Sequence, residues 1–159
     1  MAGGPLLPIG INYDTDGLNY PGPYVGAGNA RLIPVHTKVQ ASLSGDTLLY
    51  LIFRLPATLP TGTLKLAILL IANATTGNAK VNPAWASVAV TENPDTITLN
   101  AEGVSTIAPS AADTWVETKV TLDADTAVGG EFIMMAVTFT TASWTLAVIS
   151  GWTFYLLWE

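Results

Sequence analysis

The chain contains no cysteine. Disulfide frameworks, thiolate zinc sites and cysteine nucleophiles are therefore excluded. It contains one histidine, His36, so a multi-histidine metal site is excluded as well. Charge is scarce: 11% of the residues are charged, against about 25% in an ordinary globular domain. The six basic residues, Arg31, Lys38, Arg54, Lys65, Lys80 and Lys119, are scattered, and the formal net charge is −6. Without a basic stripe to neutralise phosphates, neither nucleic acid nor an anionic membrane surface is an expected partner. The N-terminal MAGGPLLPIGINYD lacks both a basic n-region and a continuous apolar h-region, so no secretory signal is expected.

What is present is apolar and β-prone. Half of the 159 residues are hydrophobic. A chain of this length fits one domain with a surplus for an arm. Such a domain buries roughly 70% of the surface its unfolded chain exposes, so it folds without staples. Residues 1–30 stand apart: they hold seven of the 14 glycines and four of the 10 prolines, and their charges are Asp14 and Asp16. Proline lacks the ladder donor and glycine loses entropy, so this segment cannot run as a helix or a central strand. It is nonetheless too poor in charge for a solvated tail. We read 1–30 as an extended arm and 31–159 as the folded domain. Tyr13, Tyr20 and Tyr24 punctuate the arm and are the expected anchors on a neighbouring subunit or the capsid, tyrosine being enriched at interfaces; an arm folded back as an edge strand on its own domain is the alternative.

From Arg31 onward the residue types are those of strands separated by turns. Val116, Val120 and Leu122 share one face, with Glu117, Lys119 and Thr121 on the other. Ile133, Met135, Val137 and Phe139 alternate with Met134, Ala136, Thr138 and Thr140. At the C-terminal end Trp152, Phe154, Leu156 and Trp158 alternate with Thr153, Tyr155, Leu157 and Glu159. A period of two is what half-buried strands require, and these four large residues are expected to face the core from the last strand. Leu48–Leu55, Leu64–Ile71 and Trp85–Val90 are apolar on both faces, as suits strands covered on both sides. Leu64–Ala74 is compatible with a short helix by residue type, but its Gly- and Thr-rich flanks favour a strand. Phe132–Trp158 carries no charge and is long enough to span a bilayer. Its many Thr and Ser residues, its period of two and the absence of flanking basic residues argue against a membrane helix. Turn signals recur through 31–159 and divide it into about eight strands, which predicts an all-β, two-sheet antiparallel sandwich of jelly-roll type.

Candidate chemistry is thin. A triad on His36 would need a nucleophile elbow, and no G-x-S-x-G occurs. Asp14-Thr15-Asp16-Gly17 opens like a calcium loop, but Val25 stands where the bidentate glutamate belongs, so an Asx turn is the plainer reading. Asp123 and Asp125 form an acidic turn with no third carboxylate, which reads as a solvated hairpin. Glu117 is centred in a strand with Lys119 two positions on, which reads as a surface ion pair rather than a catalytic acid. No phosphate-binding or dinucleotide-binding glycine motif is present. The five tryptophans, Trp85, Trp115, Trp144, Trp152 and Trp158, belong to core or interface packing, with an aromatic platform for sugar as the alternative. The chain is therefore expected to be no enzyme and to need no cofactor.

The segments GGPLLPIGINYDTDGLNYPGPYVGAGNARLIP and TLAVISGWTFYLLWE, joined by a Thr/Ala/Val-rich, cysteine-free sandwich, resemble the small jelly-roll virion proteins of tailed bacteriophages. The likeness is greatest to head decoration, or cement, proteins. It implies a non-enzymatic virion structural protein, assembled in the host cytoplasm, that sits on a capsid and braces neighbouring copies of the major capsid protein. It also implies a homotrimer. Scarce charge fits self-association, because little polar surface is left for a monomer. A carbohydrate-binding module, or the receptor-binding head of a tail or fibre, is the alternative.

Overall fold

The computed structural model describes residues 5–8, 10–13, 39–40, 47–72, 79–108, 114–140 and 148–159. Ten strands lie among them: β1 (Gly10–Tyr13), β2 (Val39–Gln40), β3 (Thr47–Arg54), β4 (Leu64–Ala72), β5 (Ala79–Val88), β6 (Asn100–Ala101), β7 (Ser105–Ile107), β8 (Trp115–Thr121), β9 (Phe132–Thr140) and β10 (Val148–Trp158). One short 3-10 turn, Pro94–Thr96, interrupts them. Two antiparallel sheets result. One runs β2-β10-β4-β8; the other runs β1-β3-β9-β5-β6, with β7 also paired to β5.

The pairing is that of a long hairpin rolled on itself. β2 pairs β10, β3 pairs β9, β4 pairs β8 and β5 pairs β7. Each step outward from the β5–β7 centre changes sheet. The roll closes where β10 meets β4 and β9 meets β5. This is a jelly-roll sandwich, as the alternating pattern predicted.

The core follows from the period of two. Leu51 and Phe53 on β3, Val81 and Trp85 on β5, and Ile133, Met135 and Val137 on β9 face inward from one sheet. Leu64, Leu66 and Ile68 on β4, Val120 on β8, and Phe154, Leu156 and Trp158 on β10 face them from the other. Trp152 lies opposite Leu70 on β4; its side chain is outside the described residues. The run Leu64–Ala74 is strand as far as Ala72. The apolar run ending at Val90 is strand only to Val88. Beyond it the Glu92 carboxylate accepts the Ala89 N–H at 2.7 Å and closes a turn, leaving Val90 exposed.

The beginning of the arm folds back on its own domain. β1 continues the sheet edge beside β3, and Leu6, packed against the core, exchanges both backbone hydrogen bonds with Leu156 of β10 at 2.8 and 2.9 Å. The chain thus steps from one sheet to the other between Leu6 and Gly10. The reason is the open row of donors and acceptors along two edges, which an extended segment can satisfy. Tyr13 therefore has its backbone paired with Leu49 of its own domain. Tyr20, Tyr24, His36, Asp14, Asp16 and Trp144 lie outside the described residues.

No helix among the described residues is long and apolar enough to cross a membrane. The charge-free stretch 132–158 instead supplies β9 and β10, one to each sheet.

Candidate binding surfaces

The two outer faces of the sandwich differ in chemistry. On the six-stranded sheet, register aligns Arg54, Phe132 and Val88 in one row and Ile52, Met134 and Ala86 in the next. Tyr50, Ala136 and Ala84 make a third row. The Arg54 guanidinium stacks 4.4 Å from the centre of the Phe132 ring, so even the charged residue contributes a flat surface. Tyr50 is 40% exposed at the margin, and the alanines form a floor of methyl groups. One row further on, Asn82 carries a buried amide oxygen that accepts no hydrogen bond among the described residues.

The outer face of the four-stranded sheet carries more polar and charged side chains, with Leu69 and Leu157 among them. β8 presents Trp115, Glu117, Lys119 and Thr121, all exposed. On β4 the neighbours of Glu117 and Lys119 are Leu69 and Ala67, and Ala67 lies opposite Tyr155 of β10 on its other side. The Tyr155 hydroxyl donates to the Glu117 carboxylate. Glu159 receives Lys65 Nζ at 3.0 Å on one oxygen and Lys119 Nζ on the other. The expected Glu117–Lys119 ion pair is thus replaced by two cross-strand partnerships. Residues two apart along a strand are about 7 Å apart, whereas neighbouring strands are about 4.8 Å apart. Tyr155 on β10 and Glu159 just beyond it lie two strands from β8, about 10 Å away, and it is long side chains reaching over the small Ala67 that bring them to Glu117 and Lys119.

These contacts shift titrations. The bond to Glu117 pushes the Tyr155 phenol up from 10.0 to about 12, with partial burial and the charges of Glu117 and Glu159 adding to it. The bond to Glu159 raises Lys119, against some desolvation. Glu159 is lowered, first by Lys119 and then by Lys65. A phenol with a raised folded pKa contributes stability that is whole below its unfolded pKa of 10.0 and is lost as pH rises through about 12. Difference absorbance between the native chain and Tyr155→Phe should accordingly place this tyrosinate near pH 12. Glu117→Gln should move it back towards 10. Ionisation of Tyr155 at pH 10 in the folded protein would contradict the assignment.

The remaining carboxylates organise loops. Glu102 accepts the Trp85 indole N–H and the Ala124 N–H. Asp125 accepts the backbone N–H of Ser87 at 3.1 Å, and Glu131 accepts the Ser87 hydroxyl at 2.8 Å. The acidic turn at Asp123–Asp125 is thereby tied to β5 rather than left as a solvated hairpin. No group of three His, Cys, Asp or Glu among the described residues could hold a metal ion. Of the tryptophans, Trp85 and Trp158 are buried, and Trp115 is 42% exposed. Sequence reasoning set Trp115 among packing residues. Its exposure was foreshadowed by its sharing the face of Glu117 and Lys119.

No protein-family model matches the chain, and no curated protein does. Among solved structures it is similar to the carbohydrate-binding module TmCBM61, determined in complex with beta-1,4-galactotriose. The identity is 9%, the TM-score 0.34, and the match covers 94% of this chain and 87% of that one. At that TM-score the likeness carries no argument about ligand or partner. The sandwich assignment rests on this chain's own strand pairing.

Proposed function

We propose that this chain is a non-catalytic assembly module of a virion, decorating the capsid and bracing neighbouring capsid subunits, and that it associates with further copies of itself. The observation that carries the reading is the apolar outer face of the six-stranded sheet, with Ile52, Phe132, Met134 and Tyr50 over a floor of alanines. Apolar faces of this kind mark association surfaces. The composition supports it: a chain with 11% charged residues has little polar surface with which to remain alone. The resemblance of the arm and last strand to head decoration proteins supplies the virion setting.

Light scattering should return a multiple of the 16.7 kDa chain at micromolar concentration, with a trimer expected. The protein should also co-sediment with assembled capsids. Ile52→Glu with Met134→Lys should abolish both, with a small change in melting temperature because both residues are only half-buried. A monomer that ignores capsids, or a double variant that assembles normally, would defeat the reading.

A further inference from the structure

The geometry points to a binding site for a neutral saccharide on the outer face of β8, β4 and β10. Trp115 stacks on the apolar face of a pyranose there, and the Glu117–Tyr155 pair and the Lys119–Glu159 pair engage its hydroxyls.

Four observations converge. Trp115 is 42% exposed on an edge strand, so its ring is open to a ligand. A large aromatic in this setting offers a flat apolar surface next to polar groups, as a pyranose requires. Next along the same face, about 7 Å away by strand geometry, is Glu117, already oriented by the Tyr155 hydroxyl. One carboxylate oxygen takes that bond, so the other remains an acceptor for a sugar hydroxyl, and the phenol oxygen can accept as well. Further along, Lys119 and Glu159 hold each other and present donors and acceptors at a second step. Between Lys119 and Tyr155 the sheet carries only Ala67, whose methyl is fully buried. Because Ala67 is fully covered, the side chains of Lys119 and Tyr155 on either side of it form the surface that a second sugar ring would meet.

Charge selects the class of ligand. Lys65 and Lys119 are offset by Glu159 and Glu117 within the face. A phosphate, sulfate or acidic sugar would have to compete with Glu159 for the lysines, and a cation would compete with the lysines for the carboxylates. A neutral polyhydroxyl ligand instead adds hydrogen bonds to groups already held in position, which costs little ordering. This face is opposite the apolar one, so a chain seated through the apolar face would present this one outward. The inference nonetheless stands independently of the assembly reading, since it uses none of that face's residues.

The test uses the full chain and a defined panel: cellotetraose, mannotriose, beta-1,4-galactotriose, lactose and a sialylated trisaccharide. Each is titrated to about 10 mM and followed by tryptophan emission and by saturation transfer. At least one neutral sugar should bind, with sialylation bringing no gain. Trp115→Ala should weaken that binding at least about tenfold, and Glu117→Gln should weaken it less. The melting temperature and capsid co-sedimentation of Trp115→Ala should match the native chain. No binding across the panel, or binding undiminished in Trp115→Ala, overturns the site. Loss of self-association or capsid binding in Trp115→Ala also overturns it, making this face a protein interface instead.

Discussion

A chain ending at Gly151 should not fold. The deleted residues 152–159 include the part of β10 that pairs with β4 from Trp152 to Trp158 and the residue, Leu156, that holds Leu6 of the arm. Phe154, Leu156 and Trp158 are all buried in the core. Removing a large buried side chain costs about 2–5 kcal/mol, and a domain has only about 5–15 kcal/mol in all. Three such losses, about 6–15 kcal/mol, are as large as that whole reserve before the opened edge of β4 is counted. The deletion also takes away Glu159, whose backbone exchanges hydrogen bonds with Thr63 at 2.6 and 3.1 Å beside Gly62. Gly62 sits at φ 120 with the Glu159 carbonyl 2.9 Å from where a Cβ would lie, so that junction is closed and specific. Circular dichroism should show no cooperative thermal transition, and the product should aggregate through the exposed strand edge. A soluble truncation that melts cooperatively would show that β10 is dispensable.

Trp85→Ala should be the most damaging single substitution, at about 3–5 kcal/mol from lost packing alone. Trp85 is fully buried on β5, and its indole N–H satisfies Glu102, which in turn holds Ala124 at the start of the 123–131 loop. Removing the indole leaves a partly buried carboxylate short of a donor. Trp85→Phe separates the two contributions: it keeps most of the packing and drops the hydrogen bond to a charged acceptor, worth about 1.5–3 kcal/mol. Urea titration should therefore rank native, Phe and Ala in falling order of midpoint. Equal midpoints for the native chain and Trp85→Phe would mean that the indole–carboxylate bond contributes no net stability.

Much of the sandwich was legible in the sequence because burial on one side of a pleated strand forces a period of two. Ile133, Met135 and Val137 face the core for that reason, and so do Phe154, Leu156 and Trp158. Glu117 and Lys119 could be placed on one face of β8 by the same rule. Their partners could not. Tyr155 comes from β10 and Glu159 from the residue just after it, and β10 reaches β8 only across β4; local pattern carries no information about which distant strand lies two away. The loop carboxylates escaped for a similar reason. Asp125 reads as part of an acidic turn in sequence, yet it accepts the Ser87 N–H, and Glu102 accepts the Trp85 indole N–H, both donors lying on β5.

By itself, then, the sequence determined the residue chemistry: no thiol, little charge, a period of two in the segments that became β8, β9 and β10, and an arm too rich in glycine and proline to be a core strand. These are properties of composition and of nearest neighbours, which backbone geometry translates directly into local structure. Tertiary structure alone decided that Leu6 and β1 of that arm close the two sheets of their own domain. It also decided that one outer face is apolar and the other a charge-balanced, more polar surface around Trp115. Both depend on which strands pair and in what register. That is set by the mutual burial of side chains far apart in the chain, and no local window of sequence contains it.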